Sequence, residues 1–161
     1  RLCRSLEEAG LACVLLGGPD EEESARRAQE ASGRRLQSHV GRCTLLETFA
    51  LIAACDLFLS NDTGLAKAAM ALGVPTATLW GPTESRELGA LWDKDKHLDL
   101  SRRIGCSPCV RGGMSYRRSS IDYLTCGHHD CLAGLQEHSV LDALRQKYPR
   151  LFSAERPDRR F

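Results

Sequence analysis

Short apolar runs alternate with segments of helical periodicity along the first half of the chain, and this alternation constrains the fold most. The apolar runs "LACVLLGG" and "DLFLS" are typical of strands buried on both faces of a sheet, and "TATLWG" is a third predicted strand. Strand and helix alternate four times in about eighty residues, joined by short connections. We therefore predict an α/β fold in which helices cover both faces of a parallel sheet, in the doubly wound manner.

The helix predicted within "SNDTGLAKAAMALGVP" (residues 60–75) has an unfavourable charge near its start. Four apolar residues recur at the i, i+3, i+4, i+7 spacing of one helix face, and Gly73 and Pro75 end the helix. Lys67 lies in the first turn, where the partial positive charge of a helix start disfavours a cation by roughly 0.3–1 kcal/mol. A negative group is therefore expected between the lysine and the helix start.

Three loops follow predicted strands and are the candidate ligand-binding segments: "GGPDEE", "SNDTG" and "WGPTES". Ligands of open parallel sheets bind outside the carboxyl ends of the strands, so we expect all three loops at one sheet edge. Free N–H groups at a helix start bind phosphate, and a phosphate there would also neutralise Lys67. Two alternatives stay open: Asp62 or Thr63 can simply cap the helix, and the stem of Lys67 can extend away into solvent.

Composition excludes several classes of protein. The chain has 161 residues, 42% of them hydrophobic and 27% charged, which fits one globular domain. Its net charge of +1 argues against a general electrostatic grip on nucleic acid, so we expect no nucleic-acid partner. No apolar run approaches the ~20 residues of a membrane-spanning helix, and no signal peptide opens the chain. The chain begins without Met and in helical pattern, so we expect it to be a piece of a longer protein.

Four of the eight cysteines cluster in a Cys-x2-Cys-x16-Cys-x4-Cys motif, whereas the other four are single. Four thiolates in two close pairs suit tetrahedral zinc or iron, and a metal would order a segment that has little core of its own. Two disulfides are the alternative, which a reducing cytosol disfavours. A metal here would be structural, because four protein ligands leave no open position. The candidate ligands are Cys106, Cys109, Cys126 and Cys131.

The segments "VLLGGPDEEE" and "LLETFALIAACDLFLSNDTGLAKAAMALGVPTATLWGPT" resemble the carboxyl-terminal half of the family 9 glycosyltransferases, the heptosyltransferases of lipopolysaccharide core assembly and their relatives. The resemblance covers about residues 2–84 and resumes in the cysteine segment. It implies the second half of a GT-B fold: a Rossmann-like nucleotide-sugar-binding domain over residues 1–100, a four-cysteine finger inserted at 101–135, and a helix and tail at 136–161.

The resemblance also implies roles for individual residues. The family's acidic residue after the glycine turn corresponds to Glu21, which would hold the nucleoside part of the donor. A family histidine corresponds to Lys67, a departure that would still place positive charge against a leaving diphosphate. The remaining donor-binding residues are Asp62, Thr63 and Gly64, at the diphosphate and the transferred sugar, and Gly81, Pro82 and Thr83, lining the same cleft.

The activity implied by the resemblance is inverting transfer of heptose from an ADP-heptose-like donor to a hydroxyl of a lipopolysaccharide core or a protein. The resemblance places the catalytic base in an amino-terminal domain that this chain lacks, so no catalytic residue is predicted here, and no catalytic metal. It implies a cytoplasmic protein and is compatible with peripheral association at the inner face of the bacterial inner membrane. The cysteine finger is similar to that of autotransporter heptosyltransferases, which binds iron, so iron is expected, with zinc close behind.

A rival interpretation is a non-catalytic interaction module. In that reading Lys67 marks a decayed sugar site, and the metal-stabilised cysteine finger mediates assembly. Tight binding of an ADP-sugar would favour the enzyme, and metal-dependent oligomerisation without nucleotide affinity would favour the module.

Overall fold

The computed structural model of the protein describes residues 1–110 and 126–153. The chain divides into two compact units, one formed by Arg1–Leu51 and Glu137–Phe161 and the other by Ile52–Gln136. All strand pairs are parallel and are connected through helices, which confirms the predicted α/β class. Among the described residues the strands form two sheets, where the sequence predicted one.

The elements follow one another in the predicted alternation. The strands are β1 (Val14–Leu15), β2 (Gln37–Ser38), β3 (Phe58–Asn61), β4 (Thr76–Trp80) and β5 (Leu98–Ser101). The helices are α1 (Leu2–Glu8), α2 (Glu22–Ser32), α3 (Leu45–Ala54), α4 (Gly64–Ala71), α5 (Ser85–Leu88), α6 (Asp130–Ala133) and α7 (Glu137–Lys147). Short 3-10 turns cover Pro19–Glu21, Lys94–Lys96 and Pro149–Phe152. No helix within the described ranges is long and apolar enough to cross a membrane.

In the first unit, helix α1 packs against α2 and α7, and β1 pairs with β2 in a two-stranded parallel sheet. Its core includes Leu6 of α1 and Leu144 of α7, which is fully buried. Arg4 donates hydrogen bonds to the last carbonyls of α2, with Nε 2.6 Å from the Ser32 oxygen. A cation at a helix C-terminus satisfies carbonyls that have no partner within the helix, so this contact ties α1 to the end of α2.

The second unit is built on the three-stranded sheet, in which β4 lies between β3 and β5. Strand β4 is buried on both faces: Thr76, Ala77 and Thr78 are 0% exposed, and Trp80 is 1% exposed. The prediction that β1 and β3 are buried on both faces is wrong, since both are only partly buried. Because β3 and β4 run in the same direction, their carboxyl ends carry the following loops to one edge of this sheet. These loops are "SNDTG" and "WGPTES", two of the three candidate segments.

We expect Gly73→Ala to lower the free energy of unfolding by about 1 kcal/mol, because Gly73 ends α4 with φ = +74° and an alanine is strained in the left-handed region. A Cβ built on Gly73 has no atom within 4 Å, so the expected destabilisation comes from backbone strain and not from a steric clash. Gly18→Ala is the matched control, since Gly18 has φ = −77° and equally open surroundings. Urea unfolding of both variants checks this, and equal effects of the two substitutions would contradict it.

Candidate functional site

The loop between β3 and α4 leaves hydrogen-bond donors free at the start of the helix. Thr63 is the N-cap, and its Oγ1 accepts a hydrogen bond from the backbone N–H of Ala66 at 3.4 Å. The first intrahelical bond runs from the Lys67 N–H to the Thr63 carbonyl, so the N–H groups of Gly64 and Leu65 precede it. Helix capping, one of the open alternatives, is therefore observed at Thr63, and it coexists with a helix start that can bind an anion.

Lys67 faces an anion supplied by the chain itself. Its Nζ donates to Asp62 Oδ1 at 2.6 Å and to the Leu88 carbonyl at 2.5 Å, and it lies 4.6 Å from the centroid of the Trp80 ring. The side chain of Lys67 is 40% exposed and that of Asp62 only 14%. The negative group that the sequence required near the helix start is thus the Asp62 carboxylate. A contact between Lys67 and a donor phosphate stays a prediction.

Trp80 connects this ion pair to the neighbouring strand, a role that the sequence reasoning missed. The indole Nε1 donates to Asp99 Oδ1 at 2.7 Å, so the N–H of the buried ring has a hydrogen-bond partner. The face of the same ring makes a cation–π contact with Lys67. The only available signal was a tryptophan at the end of a buried strand, directly before a candidate loop.

The loop after β4 holds a buried hydroxyl for which no hydrogen-bond partner is present in the described part of the chain. This atom is Thr83 Oγ1, in the predicted Gly-Pro-Thr motif. Buried polar groups in folded proteins almost always have a partner, so an unpartnered one at a candidate site is suited to receive a ligand. Gly81 and Pro82 precede it at the carboxyl end of β4.

Glu21 lies in the first unit, at the end of the 3-10 turn that follows β1. Its Oε2 accepts the backbone N–H of Gly18 at 2.8 Å, which is capping chemistry, and the residue is exposed. The structure therefore brings the other predicted donor-binding residues to one sheet edge in the second unit and describes Glu21 within the first. A contact between Glu21 and a nucleoside stays a prediction.

The cysteine cluster lies in the second unit, and its four members are free thiols, so no disulfide pairs them. Burial raises the pKa of the Cys109 thiol, and its electrostatic interactions with Cys106, Cys131 and Cys126 raise it further. The backbone N–H of His129 donates to Cys126 Sγ at 3.4 Å. Within residues 1–110 and 126–153, no group of three or more His, Cys, Asp or Glu side chains is arranged to hold a metal ion. Metal binding therefore stays a prediction.

Comparison with known proteins identifies the family. Residues 1–118 match the model of "Glycosyltransferase family 9 (heptosyltransferase)". The chain is 31% identical over 147 residues to lipopolysaccharide heptosyltransferase 2 of Escherichia coli K12. This alignment covers 89% of this chain and 39% of the E. coli protein. The chain is 31% identical over 106 residues to lipopolysaccharide heptosyltransferase 1 of Pseudomonas aeruginosa, covering 66% of this chain and 29% of that protein.

Two solved structures share the fold. The family 9 glycosyl transferase from Veillonella parvula superposes with a TM-score of 0.71 at 20% identity, and E. coli ADP-heptose lps heptosyltransferase II with 0.69 at 22%. Each superposition covers 91% of this chain and 39% of the other. The family model confirms the family that the sequence motifs predicted, and the two solved structures confirm its fold. The chain spans only 29–39% of the length of these relatives.

We expect a double-mutant cycle on Asp62→Asn and Lys67→Met to give a coupling energy of about 1 kcal/mol, because either single variant removes one charge of a partly buried ion pair. The cycle is measured by urea unfolding at pH 7. The matched control is Asp93→Asn with Lys96→Met, an ion pair whose side chains are both 53% exposed and which should couple by less than about 0.5 kcal/mol. Additive losses at Asp62 and Lys67 would show that this pair does not form in solution.

Proposed function

The chain belongs to glycosyltransferase family 9, and from that premise we propose that it is the donor-binding domain of an inverting glycosyltransferase. The donor is a nucleoside-diphosphate sugar, ADP-linked and heptose-like, and the acceptor is a hydroxyl of a lipopolysaccharide core or a protein. The observation that carries the proposal is the carboxyl edge of β3 and β4. It combines the N–H groups at the start of α4, the Lys67 ammonium and the Thr83 hydroxyl, which has no partner in the described part of the chain.

The diphosphate is proposed to bind at the start of α4. The N–H groups of Gly64 and Leu65 would donate to phosphate oxygens, and the helix dipole favours negative charge at this end. Lys67 would share its ammonium between the phosphate and Asp62, which is already at 2.6 Å. The Thr83 hydroxyl, also at this edge, would contact the donor from the neighbouring loop.

The proposed chemistry is a displacement at the anomeric carbon of the sugar. The acceptor oxygen forms the new glycosidic bond, and the bond from the anomeric carbon to the phosphate oxygen breaks with inversion. Negative charge then grows on the leaving diphosphate, where Lys67 and the N–H groups at the start of α4 stabilise it. The base that removes the acceptor proton is proposed to come from the amino-terminal domain, so this chain contributes binding and charge stabilisation.

We also propose that Cys106, Cys109, Cys126 and Cys131 hold one structural metal ion, iron or zinc. The support is the spacing of the two close cysteine pairs, which suits a tetrahedral set of four thiolates. The mutual repulsion that these thiols would feel as thiolates, which Cys109 experiences from the other three, is what a bound cation would relieve. The hydrogen bond from the His129 N–H to Cys126 Sγ would stabilise a thiolate there. Four protein ligands complete a tetrahedral site, so the metal would stabilise the fold and take no part in transfer.

One observation favours the rival function, a non-catalytic interaction module. Asp62 and the Leu88 carbonyl already occupy two of the three donors of Lys67, so the lysine is satisfied without a ligand. In this interpretation the ion pair is structural and the sugar site has decayed. Nucleotide binding decides between the two functions.

We expect ADP to bind the full-length protein more tightly than UDP does, and Lys67→Ala to weaken ADP binding by more than tenfold, or about 1.4 kcal/mol. Isothermal titration calorimetry measures both effects. Lys94→Ala, which removes an exposed lysine of the same unit, is the matched control and should leave the affinity unchanged. A full-length protein that binds neither nucleotide would support the decayed site.

Protein purified without oxygen or chelators should contain about one iron or zinc per chain by elemental analysis. Cys109→Ser should lose the metal, because serine oxygen replaces a thiolate ligand. Cys43→Ser, at a single half-buried cysteine outside the cluster, should retain it. Equal metal content in these two variants would contradict the proposed site.

A further inference from the structure

Residues next to Cys106 and Cys109 make hydrogen bonds to the loop that follows β4. Ser107 Oγ donates a hydrogen bond to the Gly81 carbonyl at 2.7 Å, and the Val110 N–H donates to the Pro82 carbonyl at 2.8 Å. Two successive carbonyls of the loop are therefore fixed by one short segment of the cysteine region. Both contacts lie within the second unit.

Leu132, directly after the last cysteine of the cluster, packs against the same loop. A Cβ built on Gly81 would lie 2.7 Å from Leu132 Cγ and 2.9 Å from its Cδ1, closer than real Cβ atoms come. Gly81 is itself buried, so the absence of a side chain allows the leucine to cover the backbone at the end of β4. The loop is thus held from two segments that are separate in sequence.

A third contact holds the far end of the loop. The Arg103 guanidinium donates to both carboxylate oxygens of Glu84, with the shortest distance 2.9 Å. Glu84 in turn caps α5 by accepting the Arg86 N–H at 3.3 Å. Between these fixed ends lies Thr83, whose buried hydroxyl has no partner among the described residues.

We propose that Ser107 and Leu132 are positioning residues for the donor site: they hold the Gly81–Pro82–Thr83 loop in the conformation that presents the Thr83 hydroxyl to the nucleoside-diphosphate sugar. The inference rests on the proposed function, because it assumes that a donor binds at this edge of the sheet. It gives the cysteine segment a part in donor binding in addition to any structural one. Neither residue touches the donor in this account, and each acts through the backbone of the loop.

The test compares Ser107→Ala and Leu132→Ala in the full-length protein by hydrogen–deuterium exchange and by ADP calorimetry. We expect faster exchange at the Gly81 and Thr83 amides, measured relative to the Thr78 amide in the middle of β4, which reports global opening. ADP affinity should fall by about three- to tenfold in Ser107→Ala, the effect of one lost hydrogen bond. Ser107→Thr keeps the hydroxyl and should restore both values, and Ser101→Ala, at an exposed serine of β5, is the matched control.

The inference would be overturned if the Gly81 and Thr83 amides of Ser107→Ala and Leu132→Ala exchanged no faster than those of the Ser101→Ala control. If Leu132→Ala does not fold, Ser107→Ala alone decides the question. Faster exchange with ADP affinity within twofold of the unsubstituted protein would overturn the link to the donor site. If the unsubstituted protein binds no ADP, the proposed function fails. The exchange comparison then still shows whether these two residues order the loop.

Discussion

The burial of β4 on both faces is the constraint on which the second unit depends. Strand β4 is covered on both faces and paired with a neighbour along each edge, so it cannot shift without breaking these contacts. The first residues of the loop that follows it are therefore held in place. Trp80 ends this strand, and its ring and Nε1 meet Lys67 and Asp99 from different elements. The arrangement of charge at the sheet edge follows from where this one side chain lies.

The edge holds a positive charge that groups of the chain itself compensate. Lys67 stands at the unfavourable end of α4, and three groups offset that cost: the Asp62 carboxylate, the Leu88 carbonyl and the face of the Trp80 ring. An arriving phosphate would share the ammonium with Asp62 and would not meet an isolated charge. Because Asp62 is always present, Lys67 is never a half-buried charge without a partner. A bound phosphate would then compete with the Asp62 carboxylate for the same ammonium.

The sequence predicted the features that local pattern determines, and it missed those that depend on distant contacts. The positions of the strands, the start of α4 at Thr63 and the α/β class follow from apolar runs and capping residues that lie within a few positions of each other. The depth of burial does not follow in this way, because β1 and β3 are only partly buried. Three contacts were missed, because their partners are far apart in sequence: Lys67 and the Leu88 carbonyl by 21 residues, Trp80 and Asp99 by 19, and Ser107 and Gly81 by 26. The division of the strands into two sheets likewise depends on tertiary pairing and leaves no mark on periodicity.

A crystal structure of the full-length protein with ADP would show whether the donor binds at the carboxyl ends of β3 and β4. The account predicts phosphate oxygens within about 3 Å of the Gly64 and Leu65 N–H groups, and an ammonium of Lys67 shared between phosphate and Asp62. It also predicts that the Thr83 hydroxyl gains a partner from the nucleotide. ADP bound away from the carboxyl ends of β3 and β4, with the Lys67 pair undisturbed and Thr83 still without a partner, would contradict it.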